Sequence, residues 1–160
     1  MVGKTPNAEA IAGEDPLMMF ESRESTRRFF FEVWSKATSG EALAGMERIV
    51  ADVIGLHPEY HEVLSDVPHL IKREFGRDDP EHNPFLHMGL HIALREQLAA
   101  DRPAGVCQIH ADLLAQSPHP HEVEHQMIEC LATELWHAQS AGRLPDEQAY
   151  LRALRQLGPA

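Results

Sequence analysis

The chain carries three His-x-x-x-His pairs, His57/His61, His87/His91 and His121/His125, and the last is followed one turn later by Glu129. On a helix, residues four apart lie on one face, so each pair can turn both imidazoles toward one point. Imidazole nitrogen and carboxylate oxygen together suit iron, manganese or zinc. Seven donors exceed the four of a tetrahedral ion, and the count predicts a dinuclear centre, with iron the first choice.

The pairs differ in setting. His87 and His91 fall in Phe85-Leu86-His87-Met88-Gly89-Leu90-His91-Ile92, a segment apolar nearly all round, as a central buried helix is. Buried imidazoles need partners for their ring nitrogens, and a metal supplies one to each. His121, His125 and Glu129 form an i, i+4, i+8 ladder that drifts only about 40° per step. It borders the apolar arc of Val123, Met127, Ile128, Leu131 and Leu135, with Trp136 expected to wall the site. In His57-Pro58-Glu59-Tyr60-His61, His57 precedes a proline and can be a cap, and Tyr60 offers a hydrogen bond behind the ligands.

The other histidines read differently. His110, among Val106, Leu113 and Leu114, fits a core histidine, and His69, His82, His119 and His137 fit loops or surface. Glu122 and Glu124 read as solvated, and Arg27 and Arg28 as surface charges. Glu96 falls on the far side of its helix from His87. Cys130 reads as a small core residue.

These residues need helices to carry them. A helical pattern begins at Pro16 and ends near Thr38-Ser39-Gly40, and a second runs from Glu41 to about Ile54. Pro58 opens a short helix, and 67–81, with two prolines and a charge cluster, reads as a loop or partly helical excursion. Asn83-Pro84 starts a helix reaching about Ala100. Asp101-Arg102-Pro103 introduces another that ends near Gln116. A long helix from His121 to about Ser140 follows Ser117-Pro118-His119-Pro120, and Pro145-Asp146 opens the last, to Leu157. The expectation is an all-α bundle of about five to six helices, one domain over 16–158 behind a flexible tail at 1–15.

Composition narrows the function. Eleven histidines in 160 residues accompany a net charge of -11, and that acidity disfavours nucleic acid and anionic membrane surface as partners. There is no apolar run long enough to span a bilayer and no secretory signal pattern at the N-terminus. Two cysteines without a C-x-x-C suit a cytoplasmic protein with free thiols. A homo-oligomer is compatible with the sequence, and nothing in it identifies a partner. Missing too are C-x-x-C-H and a Ser-centred elbow. In the ladder, Glu122 to His125 is a lone Glu-x-x-His rather than the repeated pair of ferritin-type bundles.

Three segments carry a resemblance: His57-Pro58-Glu59-Tyr60-His61; Asn83-Pro84-Phe85-Leu86-His87 with His91 and Glu96-Gln97; and His125 through Glu129-Cys130-Leu131 with Trp136. Together they resemble a family of uncharacterised bacterial proteins, domain of unknown function 1841, from about Phe20 to Arg155. The resemblance implies a bacterial, cytoplasmic source and no activity. A looser similarity, in ligand type and helical setting alone, is to hemerythrin-like bundles, which hold two irons through His and carboxylate ligands.

The functional expectation is a non-haem metal-binding bundle, di-iron by preference, that binds or senses dioxygen or nitric oxide or performs a redox step. The alternative is a metal-free protein–protein interaction module with structural histidines. Haem held by two facing histidines ranks last, because Glu129 suits a bare ion better.

Overall fold

Helix boundaries follow local chemistry closely in the second half of the chain. The computed structural model describes residues 23–65 and 83–159. The expected tail at 1–15, the helix start at Pro16, the excursion at 67–81, and His69 and His82 all lie outside the described residues.

Among the described residues there are seven α-helices and no strand: α1 (Arg23–Ser39), α2 (Met46–Gly55), α3 (His61–Ser65), α4 (Pro84–Ala100), α5 (Val106–Gln116), α6 (Pro120–Ser140) and α7 (Glu147–Leu154). A single 3₁₀ turn, Pro58–Tyr60, precedes α3. No helix among them is long and apolar enough to cross a membrane.

Helix α4 starts where Asn83 accepts hydrogen bonds from the Phe85 and Leu86 amides, with Pro84 at the first position, where no amide is missed. Helix α7 is capped likewise by Asp146, whose carboxylate accepts from the Ala149 amide. The start of α2 departs from expectation. Glu41 to Gly45 is not helical, because Gly40 and Gly45 hold left-handed φ values of 76° and 52° at its two ends. Glu47, in the first turn of α2, reaches back to the Ala44 amide and to Lys36.

Helices α4 and α6 pack against each other as the central pair. Helix α2 lies on α4, α1 on α2, and α5 and α7 on α6. Two apolar clusters result. One joins α1 and α2 to the start of α4 through Phe30, Phe31, Val53, Ile54, Phe85 and Met88. The other joins α4 and one face of α6, from its first turn onward, to α5 and α7 through Leu94, Val106, Val123, Met127, Leu151 and Leu154. Phe85 packs edge-on against Phe30 and Phe31, and the Arg27 guanidinium lies 5.1 Å from its ring centroid. Arg27 is therefore a buried cation over an aromatic face, not the surface charge its sequence context suggested.

Candidate metal centre

Three separate stretches of backbone bring five imidazoles into one cluster, two of them fully buried and three half-buried. His87 and His91 come from the first half of α4, and His121 and His125 from the first two turns of α6. His57 comes from the turn after α2. Its backbone, at φ -122° and ψ 68°, is not helical, and its ring is 1% exposed. The ligand atoms of His57, His91, His121 and His125 all lie within 4.8 Å of one another. The His57 ring centroid is 4.7 Å from that of His91 and 4.9 Å from that of His121, and the His121 and His125 rings are 4.1 Å apart. His87 flanks the group, its Nε2 3.1 Å from Nε2 of His57 and its ring 4.9 Å from that of His91.

The outward nitrogens of two rings are fixed. His57 Nδ1 lies 2.7 Å from the Val53 carbonyl oxygen, which can only accept, so that nitrogen carries the proton. His91 Nδ1 lies 2.9 Å from Glu124 Oε2, and Arg95 donates to both oxygens of the same carboxylate, 3.0 Å to Oε1. The inward nitrogens are another matter. His91 Nε2, His121 Nδ1 and His125 Nε2 are buried and have no hydrogen-bond partner. Native interiors rarely leave such groups orphaned, and each costs about 1–3 kcal/mol.

The charge state favours lone pairs over protons. Burial lowers the pKa of His57, His91 and His121, and burial with the neighbouring rings lowers His87 to about 4. Burial would raise the carboxyl of Glu124, but the His91 hydrogen bond and the Arg95 charge outweigh it and hold it down to about 2. Near neutrality the His91–Glu124 contact is thus a neutral imidazole N–H donating to a carboxylate. Glu59 and Glu122 add negative potential at the His57 and His121 end.

The geometry leaves two of the seven expected donors apart. His61 Nε2 bonds the Ile54 carbonyl at 2.9 Å and its ring lies against Trp34, 4.3 Å between centroids. The i, i+4 relation does not hold between His57 and His61, because His57 is outside the helix. Glu129 is exposed. Two steps of the ladder turn it about 80° from His121, which carries it off the inward face. Among the described residues the clustered donors are imidazoles alone, whereas the likeness to hemerythrin-like bundles rests on imidazole and carboxylate together.

Trp136 does not wall the pocket either. It is 56% exposed and lies 11 residues beyond His125, about 16 Å along the axis. His110 is half-buried and outside the cluster, and His119 and His137 are exposed. Glu124 is the residue that sequence reasoning missed. Its place in the sequence suggests a solvated residue, yet its side chain is 14% exposed and pairs across to α4. The available signal was Arg95, one turn after His91 and in need of a carboxylate from the facing helix.

The sequence model of the family described as "Domain of unknown function (DUF1841)" matches residues 22–156. No curated protein and no solved structure matches the chain.

Proposed function

The chain belongs to this family of unassigned function, and we propose that it is a metal-binding protein whose pocket holds one first-row transition-metal ion on His57, His91, His121 and His125, with His87 beside them as a fifth donor. The observation that carries the reading is the set of three buried, unpartnered imidazole nitrogens, on histidines that with His57 bring ligand atoms within 4.8 Å of one another. Metal–nitrogen bonds near 2.0–2.1 Å put neighbouring donors about 2.9–3.4 Å apart and opposite ones about 4.2 Å apart. The His57–His87 separation of 3.1 Å already suits an edge of such a polyhedron, and the four-residue set needs to close by only about 1 Å.

With His61 and Glu129 apart, and no carboxylate between the rings among the described residues, one ion suits the clustered donors better than two. Imidazole suits iron, zinc, copper and nickel, while manganese prefers oxygen. Four or five nitrogens leave a six-coordinate ion at least one position for water, dioxygen or nitric oxide, so iron with sensing or redox chemistry fits the donor set.

Metal-free protein, made by chelation, is expected to take up one equivalent of Co(II), Fe(II) or Zn(II). At a free metal concentration 100 times the Kd, stability should rise by about 2.7 kcal/mol. Calorimetric unfolding with elemental analysis checks both. Protein that takes up no ion under reconstitution leaves the metal-free reading, in which the same histidines serve as internal hydrogen-bonding groups.

A further inference from the structure

We infer that Glu124 is a positioning residue, which fixes the tautomer and tilt of His91 so that the Nε2 lone pair faces the other three imidazoles. The consequence for metal affinity rests on the proposed centre, but the tautomer does not. His91 is fully buried, so neither of its ring nitrogens can turn to water. Its Nδ1 meets Glu124 Oε2 at 2.9 Å, and its Nε2 has no partner. A carboxylate only accepts, so the proton sits on Nδ1 and Nε2 is left bare.

Arg95 makes the arrangement rigid. It lies one turn beyond His91 on α4 and holds Glu124 from the same side, Nη2 at 3.0 Å from Oε1 and Nε at 3.4 Å from Oε2. Glu124 is thereby tied twice to the helix that carries His91, although it belongs to α6. With both oxygens engaged, Glu124 supports the ring and is not itself a donor to the pocket.

The other rings sharpen the assignment. His57 has its own outward acceptor, but that is the Val53 carbonyl, part of the backbone. His125 faces Glu122 at 3.8 Å, beyond hydrogen-bond reach, and the Glu122 side chain is 62% exposed. Among the four clustered histidines, His91 is the one whose outward nitrogen a described carboxylate side chain holds at hydrogen-bond distance. Side chains behind a ligand histidine usually set about 10–100-fold of metal affinity.

Side-chain ¹⁵N NMR on the metal-free protein at pH 7.5 reads the tautomer directly. Wild type is expected to show His91 protonated at Nδ1. Glu124→Ala should move it largely to the Nε2–H form, and Glu124→Gln, whose amide oxygen still accepts, should restore the wild-type pattern. Co(II) affinity should fall about 10–100-fold in Glu124→Ala and much less in Glu124→Gln. Glu124→Leu, which keeps the volume, replaces the alanine variant should that one not fold. His91 protonated at Nε2 in wild type, or a tautomer and affinity unmoved by Glu124→Ala, overturns the assignment. Wild-type protein that shows the Nδ1–H form but binds no cobalt removes the metal reading and leaves the orientation of His91 by Glu124 standing.

Discussion

The same two helices build two very different interiors. In the later turns of α4 and α6, Leu94, Ile128 and Leu131 meet α5 and α7 in an apolar cluster. In the earlier turns stand His91, fully buried, and His87, His121 and His125, half-buried. The apolar half gains about 25 cal/mol for every Å² removed from water and needs no ligand. The imidazole half buries nitrogens without partners, a net cost in the metal-free chain. Apolar clusters on both sides of the helix pair hold the fold together, and the one face that carries the imidazoles is kept polar at the expense of stability. An ion bound there, as proposed, would offset that cost.

The widest separation between the two halves should come from Leu154→Ala. Leu154 is fully buried on α7, and its truncation is expected to destabilise the protein by about 2–5 kcal/mol. Metal uptake measured on the folded variant should stay at the wild-type level. A loss of uptake would mean that the halves are not independent.

Acid should act next, chiefly through the clustered imidazoles, with His110 on α5 lowered by burial in the same way. His57, His87, His91 and His121 are all lowered by burial, His87 to about 4. The unfolded chain then binds protons near pH 6.5 that the folded chain refuses. The stability these rings allow is complete above about pH 6.5 and declines as pH falls toward about 4. Urea midpoints of metal-free protein at pH 7.5, 5.5 and 4.5 should fall in that order. A flat series would show the rings to be less buried than described.

The smallest effects should separate ring from ring. His125→Leu replaces an orphaned nitrogen by apolar volume, so the metal-free protein should be unchanged or more stable by about 1 kcal/mol, while metal affinity drops by at least tenfold. Glu129→Ala, at an exposed site, should stay within about 0.5 kcal/mol of wild type and leave affinity alone. If Glu129→Ala weakened binding as much as His125→Leu, the ladder read from spacing would be right and the pocket as drawn would be incomplete.

Much of this was legible beforehand, for reasons that differ by element. Helix α4 could be bounded at both ends because Asn83-Pro84 is a strong local start signal and Asp101 adopts the left-handed conformation that ends it. Its two histidines converge because both lie within regular helix. Periodicity failed where the backbone leaves the helix or the pattern runs too long. His57 and His61 part company because a 3₁₀ turn, not an α-turn, lies between them, and Glu129 rotates away because 3.6 does not divide four. Glu124 was hidden because its role depends on the facing helix, which spacing along a single segment does not reveal. The short α3 and the loop before α2 followed from glycine and proline geometry that hydrophobic stripes alone do not encode.

His57 is the one clustered ring that comes from the first described stretch, and it hangs from the carbonyl of Val53 on α2. The remaining rings all come from beyond residue 83. An ion shared between them would act as a rivet through the chain, fastening α1 and α2 to α4 and α6 across a long contour of sequence. Closing so long a loop is entropically expensive for an unfolded polypeptide, and each doubling of its length adds only about 0.6 kcal/mol more. Occupancy of the pocket would then be felt at α1 and α2 as well as at the ligands, and amide exchange in those two helices should slow when the ion is in place.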